Sequence, residues 1–136
     1  ERLTLFPRDG TGVATQVQRS VLSFFWSPDG SKLAYVTIDR ATATISWYVN
    51  DRLGNAEKKL ADFVPSREQL FTMFSFFDQY AYSNSLWSPD SRSLVYAGRE
   101  LSSNGSGADT IFVLPVDGSA PARAIAPGSL AFWSPR

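Results

Sequence analysis

Trp26-Ser27-Pro28-Asp29-Gly30 is the stretch of sequence that decides the fold, because it occurs more than once. It returns as Trp87-Ser88-Pro89-Asp90-Ser91 and begins again at Trp133-Ser134-Pro135-Arg136. An apolar run precedes each copy, and a second apolar run follows the first two, at residues 33–36 and 94–97. Each complete copy therefore predicts a strand, a tight turn and a return strand.

The motif contains the residues that a type I turn prefers. Pro28 presets the backbone at the second position of the turn, Asp29 suits the third position and Gly30 suits the fourth. The corresponding residues of the second copy are Pro89, Asp90 and Ser91. We expect the turn to tolerate this serine, because the fourth position of a type I turn does not strictly require glycine.

The tryptophan that opens each motif carries a large apolar surface. A repeated unit that cannot bury its own apolar face needs neighbouring units to stack on. We predict that Trp26, Trp87 and Trp133 each pack at a junction between units. The alternative interpretation is that they are ordinary core tryptophans with no role in a repeat.

A second repeat interleaves with the first. Residues 3–10, Leu-Thr-Leu-Phe-Pro-Arg-Asp-Gly, resemble residues 111–118, Ile-Phe-Val-Leu-Pro-Val-Asp-Gly, and residues 45–61 form a degenerate copy. An Asp-Gly pair between apolar runs predicts a hairpin. Together the two repeats indicate a unit of four strands. The interval from Trp87 to Trp133 is close to the period of about 40–45 residues of a four-stranded propeller blade.

The combined pattern resembles the blades of TolB-type β-propellers. It reads apolar-Trp-Ser-Pro-Asp-Gly-x-x-Leu-apolar-Tyr, followed by Ile-Phe-Val-x-x-x-Asp-Gly. Related blades occur in tricorn protease and in the dipeptidyl-peptidase propellers. The resemblance implies an all-β fold, a partial β-propeller of four-stranded antiparallel blades with one short helical insertion. It favours a periplasmic or extracytoplasmic location, but it is weak evidence on function because propellers carry many unrelated functions.

The repeats divide the single domain into five segments, with about two full blades between flanking partial blades. Residues 1–20 are the outer hairpin of a first blade, 21–63 a second blade, 64–82 an aromatic helical insertion, 83–126 a third blade, and 127–136 the first strand of a fourth. Since the chain opens inside a blade, we expect it to be part of a longer protein.

The insertion at residues 64–82 is the place where the repeat is interrupted. Ser66 and Gln69 have the spacing of a capping box, and apolar residues recur at helical spacing from Leu70 to Phe77. We predict a short helix from about Ser66 to Phe77.

The aromatic residues of the insertion allow two interpretations. They pack the helix onto the blades, or some of them form a ligand or partner surface. In propellers of the type that the chain resembles, connections between blades lie at the mouth of the central channel, where binding usually occurs. The candidate binding residues are Phe76, Phe77, Asp78, Gln79, Tyr80 and Tyr82.

The composition excludes several kinds of site. The chain has no histidine and no cysteine, which rules out Ser-His-Asp and Cys-His catalysis, histidine and thiolate metal sites, and disulfides within it. It has 13 basic and 13 acidic residues without a charge block, so nothing predicts a nucleic-acid surface. The apolar stretch at residues 70–77 is too short to span a membrane. We expect no cofactor, no metal and no catalytic residue.

Two classes of function remain. The first is a non-catalytic scaffold of the TolB-like propeller type that binds a protein or another ligand. The alternative is an accessory, substrate-gating propeller of a larger hydrolase or peptidase whose catalytic domain lies outside this chain. A partial propeller also leaves strand edges and apolar faces open, which predicts a homodimer formed through the open blade edges.

Overall fold

The computed structural model describes residues 2–51, 57–101 and 107–134. These residues form one eight-stranded sheet in which each strand pairs with its neighbours in sequence, and every pairing is antiparallel. The strands are β1 (Arg2–Leu5), β2 (Thr15–Trp26), β3 (Lys32–Asp39), β4 (Thr44–Asp51), β5 (Glu57–Pro65), β6 (Ser93–Glu100), β7 (Thr110–Pro115) and β8 (Arg123–Pro127). The two short helical elements both lie between β5 and β6. The predicted all-β fold with a short helical insertion is confirmed.

The strand β2 belongs to two hairpins. Its first half pairs with β1, as Thr15 does with Leu5, and its second half pairs with β3, as Trp26 does with Leu33. The register of the second pairing shifts between Val21 and Ser23, and such a bulge bends a strand. The boundary predicted between residues 20 and 21 thus lies within one continuous strand, at the point where its pairing partner changes. The division into blades stays a prediction.

The strands from the second half of β2 to β5 form one antiparallel unit, and a second unit is built around β6, β7 and β8. The segment before β6 joins this second unit through a single bridge between Trp87 and Leu94. The ends of β5 and β6 also pair, as Phe63 does with Glu100. The segment after β8 forms no strand up to residue 134, and Trp133 makes a single bridge to Ser85.

Both complete Trp-Ser-Pro-Asp motifs form the turn that the sequence predicts. In the first, the Gly30 N–H donates to the Ser27 carbonyl at 2.9 Å, and in the second the Ser91 N–H donates to the Ser88 carbonyl at 2.9 Å. The serine hydroxyl also accepts a hydrogen bond from the return strand, where the Lys32 N–H lies 2.9 Å from Ser27 Oγ. The turn is therefore closed by the residues of the motif itself.

The two units contact each other through their Ser-Pro-Asp turns, and through β2 and the segment before β6. The Asp29 N–H donates to Ser91 Oγ at 3.1 Å, and Trp87 Nε1 donates to the Phe25 carbonyl at 2.9 Å. On the outer side, Lys58 Nζ donates to the Asp117 carbonyl at 2.8 Å. Trp87 is only 1% exposed. Its side chain thus lies where the second unit meets β2, and a role at a junction between propeller blades stays a prediction.

The predicted packing of all three tryptophans at junctions does not hold for Trp26 within the described residues. This side chain is 49% exposed, although the second unit contacts the neighbouring Phe25 and the turn at Asp29. Trp133 is half-buried and packs against the main core cluster, but its indole nitrogen is buried without a hydrogen-bond partner. The same motif therefore has three different environments.

The main core lies between the two units and beneath the insertion. Its fully buried aromatic side chains are Trp47, Phe63, Phe74, Trp87 and Tyr96. The fully buried Tyr35 belongs to a smaller cluster on the other face of the sheet. The ring of Phe74 lies 5.7 Å from Trp47 and 6.2 Å from Phe63, measured between centroids. The insertion is thus fixed to the sheet by its own buried residues.

The single helix predicted from Ser66 to Phe77 is instead two short elements. A π-helical segment spans Gln69–Phe74, and the α-helix α1 spans Phe77–Tyr80. The Ser75 N–H closes the wide turn by donating to the Leu70 carbonyl at 3.1 Å, and the backbone of Phe76 leaves the helical region with φ −126°. This break places the ring of Phe77 against Phe24, at 4.9 Å between centroids.

The predicted capping box forms only in part. Ser66 Oγ accepts the Gln69 N–H at 3.0 Å, as a cap should. The Gln69 side chain does not return to the Ser66 N–H, because that group donates to the Ala97 carbonyl at 3.0 Å. Gln69 Oε1 instead accepts the Ala131 N–H at 3.2 Å. The polar residues of the helix start therefore hold the segment that follows β8.

Candidate functional site

The insertion carries a concentration of exposed aromatic side chains. Phe71, Phe76, Tyr80 and Tyr82 are all exposed, and Tyr82 is 100% exposed. Together with the exposed Asp78 and Gln79, these residues are called the insertion surface. The insertion begins where β5 ends, at Pro65.

The structure places five of the six candidate binding residues on the insertion surface. Asp78, Gln79 and Tyr80 lie on α1, Phe76 precedes it and Tyr82 follows it. The sixth, Phe77, is half-buried and makes edge-to-face contacts with Phe24 and Phe25. Phe77 therefore anchors the insertion surface to β2.

The insertion surface rests on a fixed base. Met73 and Phe74 are buried in the core. The Ser66 hydroxyl donates to the Ser129 carbonyl. The helical turn continues past α1, since the Ala81 N–H donates to the Phe77 carbonyl and the Asn84 N–H to the Tyr80 carbonyl, both at 2.8 Å. A surface held in this way is suited to recognition, because little side-chain or backbone freedom of its base is lost on binding.

Sequence reasoning missed Phe71 as a surface residue. It is 58% exposed, and the Arg67 guanidinium carbon lies 5.9 Å from the centre of its ring. A signal was present, because Phe71 lies beside the stripe of Leu70, Met73 and Phe74 rather than on it. An aromatic residue at such a position of a helix faces solvent.

A second polar site lies between β2 and the ends of β4 and β5. A groove of about 410 Å³ there is lined by Thr15, Gln16, Val17, Gln18, Arg19, Asn50 and Glu57. Arg19 Nε donates to Glu57 Oε1 at 2.8 Å, and the Tyr35 hydroxyl donates to the other carboxylate oxygen. Burial and the neighbouring Glu57 raise the pKa of Tyr35. The three polar groups therefore satisfy one another's hydrogen bonds.

Two aspartates with a lowered pKa lie in the Ser-Pro-Asp turns. Hydrogen bonds from Ser27 and Ser31 lower the pKa of Asp29, and a hydrogen bond from Ser88 lowers the pKa of Asp90. These carboxylates close their own turns and face solvent. In the part of the chain that the structure describes, no group of three or more acidic side chains is placed to hold a metal ion. Nor do the described residues include a helix with the length and apolar character needed to cross a bilayer.

Comparison with known proteins identifies the fold. No protein-family model and no curated protein matches the chain. Among solved structures, the chain is similar to the β-propeller domain of the Trilobed protease from Pyrococcus furiosus, with a TM-score of 0.61 and 16% identity over 92% of this chain. It is also similar to TolB from Acinetobacter baumannii, with a TM-score of 0.55 and 17% identity over 94% of this chain.

The chain therefore has the fold of part of a β-propeller. More particularly, its fold is similar to that of TolB, as the sequence resemblance predicts. It spans 34% of the length of the first matched structure and 27% of the second. Similarity at this level of identity establishes the fold and leaves the activity of the whole protein open to proposal.

Proposed function

We propose that this chain is a non-catalytic propeller scaffold that binds a protein partner through the insertion surface. The observation that carries the proposal is the clustering of four exposed aromatic side chains on a segment whose other face is buried. Exposed apolar patches mark interaction sites, and aromatic residues supply much of the energy at protein interfaces.

The charges of the insertion indicate the kind of partner. Arg67, Glu68 and Asp78 are all exposed, so both signs of charge lie on the segment and neither dominates. This distribution favours a protein partner that has an apolar patch, against which the aromatic side chains pack, surrounded by residues of both charges. It does not favour a nucleic acid or an anionic lipid surface, which needs concentrated positive charge.

A photo-crosslinking experiment tests this proposal. A photoreactive phenylalanine analogue is placed at Tyr82, and in a control protein at Phe6, which is also exposed but lies in the turn after β1. In an extract of the source cells we expect a discrete crosslinked protein from position 82 and none from position 6. That protein is then purified and its affinity measured for the wild type and for the Phe76→Ser/Tyr82→Ser double variant.

We expect the double variant to bind at least about tenfold more weakly, as when aromatic contacts at an interface are truncated. A control variant, Phe6→Ser, should bind as the wild type does. Equal affinities of the wild type and the double variant would contradict the proposal.

The second candidate function is an accessory domain that gates or binds substrate for a hydrolase or peptidase domain outside this chain. The similarity to the propeller domain of a protease favours it. The full-length open reading frame discriminates the two. A hydrolase signature following the propeller would favour the accessory role, and a propeller standing alone behind a signal peptide would favour the scaffold.

We also propose that the chain forms a homodimer through its open blade edges. The sheet ends in β1 on one side and β8 on the other, and apolar side chains such as Ile125 are exposed on the outer strand. Exposed edges are templates for pairing with another chain. Light scattering of the purified protein tests this, and a monodisperse monomer of 15.0 kDa would rule it out.

A further inference from the structure

The insertion begins at a point where the first unit is irregular. The register between β2 and β3 shifts between Val21 and Ser23. Val21 pairs with Thr37, and Pro65, at the end of β5, pairs with Gly98. Counted from the motif tryptophan of each unit, Thr37 and Gly98 occupy the same position. The insertion thus stands where the first unit has a β-bulge, and bulges are common beside functional sites.

The π-helical segment of the insertion fixes the backbone beside Phe71. The N–H and the hydroxyl of Ser75 both donate to the Leu70 carbonyl, at 3.1 Å and 2.9 Å. Met73 and Phe74 are buried in the core, whereas Phe71 is 58% exposed. Wide helical turns of this kind also occur frequently at functional sites. The ring of Phe71 is therefore presented to solvent from a fixed backbone.

Arg67 lies beside this ring. Its guanidinium carbon is 5.9 Å from the centre of the Phe71 ring, a distance at which the ring face attracts the cation. Arg67 is also exposed. Among the residues that the structure describes, no acidic side chain lies within ion-pair distance of Arg67. Guanidinium donors and an exposed apolar ring are therefore adjacent on the insertion.

The chain itself contains a second arginine that lies on an aromatic ring. The Arg19 guanidinium carbon is 4.4 Å from the centre of the Tyr48 ring, and Arg19 Nε donates to the Glu57 carboxylate at 2.8 Å. In this arrangement the ring holds one side of the guanidinium and a carboxylate accepts from its N–H groups. A carboxylate is accordingly the group that complements the pair of Arg67 and Phe71.

We propose that the partner segment bound by the insertion surface carries an apolar side chain next to an Asp or Glu, and that Phe71 and Arg67 recognise the two. The apolar side chain packs on the Phe71 ring. The carboxylate accepts hydrogen bonds from the Arg67 guanidinium. This inference rests on the function proposed above and names the chemistry of its partner.

The neighbouring charges limit the partner to few carboxylates. Glu68 and Asp78 are exposed on the same insertion, and both repel further negative charge. A run of acidic residues would meet this repulsion along its length, whereas one carboxylate placed at Arg67 meets it least. The partner segment is therefore mainly apolar, with a single acidic residue at the contact.

Selection from a phage library of random linear peptides tests the proposal on the chain itself. Peptides are selected on the wild type, and those that fail to bind the Phe76→Ser/Tyr82→Ser variant are kept as ligands of the insertion surface. We expect these peptides to share an Asp or Glu next to an aromatic or aliphatic residue. They are then synthesised, and their affinities are measured by calorimetry.

Substitutions at Arg67 identify the group that reads the carboxylate. Arg67→Gln should weaken binding of the peptides roughly three- to tenfold, the scale of one exposed charged hydrogen bond. Arg67→Lys keeps the charge but not the planar guanidinium, and should fall between the two. Arg40→Gln is the matched control, because Arg40 is also exposed but lies in the turn after β3. It should bind as the wild type does, and circular dichroism checks that every variant folds.

A change in the peptide completes the cycle. Replacing its Asp or Glu by the corresponding amide should weaken binding to the wild type by the same factor as Arg67→Gln. The amide peptide should bind Arg67→Gln no more weakly than the acidic peptide does, because the pairing is already lost.

Two outcomes would overturn this proposal and leave the proposed function intact. One is a set of insertion-dependent peptides without an enriched acidic residue, and the other is equal affinity of the peptides for Arg67→Gln and the wild type. A selection that yields no peptide dependent on Phe76 and Tyr82 would also overturn it. The crosslinking experiment at Tyr82 would then decide the proposed function separately.

Discussion

Ser91 occupies the position in the second motif that Gly30 occupies in the first, and its backbone φ is 60°. Gly30 has a φ of 70°, so the fourth residue of both turns lies in the left-handed region. The turn tolerates the serine, as expected, but a side chain in this region of backbone conformation costs about 1–2 kcal/mol. Ser91 offsets that cost, since its buried hydroxyl accepts the Asp29 N–H of the neighbouring unit.

Two substitutions at Ser91 separate the strain from the hydrogen bond. Ser91→Ala keeps the strained backbone and leaves the Asp29 N–H without its acceptor, which should lower the free energy of unfolding by about 1–2 kcal/mol. Ser91→Gly loses the same bond but relieves the strain, so it should be about 1 kcal/mol more stable than Ser91→Ala. Urea denaturation measures both values.

Gly30→Ala is the matched control for the strain alone, because a Cβ at Gly30 would have nothing within 4 Å. It should cost about 1–2 kcal/mol through the backbone conformation. If Ser91→Gly proved less stable than Ser91→Ala, the assignment of strain at this position would be incorrect.

Trp87 should contribute more to stability than any other motif residue. It is 1% exposed, lies in the main core and has its indole N–H paired. Trp87→Ala should lower the free energy of unfolding by about 3–5 kcal/mol, the usual cost of removing a large buried aromatic residue. The half-buried Trp133 is the control, and its alanine variant should cost less. A loss below about 1 kcal/mol for Trp87 would show that it does not fill a packed junction.

At the scale of the element, the Ser-Pro-Asp turn is a small self-contained network. Asp29 Oδ1 accepts from the Ser27 hydroxyl at 2.7 Å and from the Ser31 N–H at 2.9 Å. In the second turn, Asp90 Oδ1 accepts from the Ser88 hydroxyl at 2.6 Å and from the Arg92 N–H at 3.1 Å. These bonds favour the ionised carboxylates, and the pKa values of both aspartates are lowered.

The lowered pKa values predict destabilisation by acid. A carboxyl group whose pKa is lower in the folded state stabilises the fold above its unfolded pKa of about 3.9, and loses that contribution as the pH falls toward the folded value. The free energy of unfolding of the wild type should therefore decline below about pH 4. An Asp29→Asn/Asp90→Asn variant should decline less over this range. An equal decline in the free energy of unfolding of the variant and the wild type would show that other groups cause the loss of stability at low pH.

At the scale of the whole molecule, stability should be graded across the sheet. The strands β3, β4 and β6 each pair on both sides and carry most of the buried residues that lie in strands. The strand β8 lies at the sheet edge with all five residues exposed, and β1 lies at the opposite edge.

Amide hydrogen exchange should follow this gradient. Amides of β3, β4 and β6 should exchange slowest, and those of β1 and β8 fastest, because edge strands open without unfolding the core. Measurement at a protein concentration where the chain is monomeric removes protection by a second copy. Equal protection of β8 and β4 in that monomer would contradict the predicted gradient.

Much of the molecule follows from patterns that are local in sequence. Turns, strand alternation and the antiparallel order are encoded by neighbouring residues, and the repeat of Trp26 in Trp87 predicts two similar units. The sequence also indicates a candidate site, because Phe76, Tyr80 and Tyr82 lie where the repeat is interrupted, and the structure shows these three side chains exposed. These features depend on hydrogen bonds and side-chain periodicity over a few residues, which a sequence displays directly.

Other features depend on residues that are distant in sequence. The same motif buries Trp87 and exposes Trp26, because burial is decided by whether another unit lies against the side chain. Gln69 bonds to Ala131 rather than completing its cap, because the chain folds back beside it. Phe77 turns inward because Phe24 and Phe25 lie beneath it. The same local pattern therefore gives different burial in the two units, because the folded sheet determines which side chains contact each apolar residue.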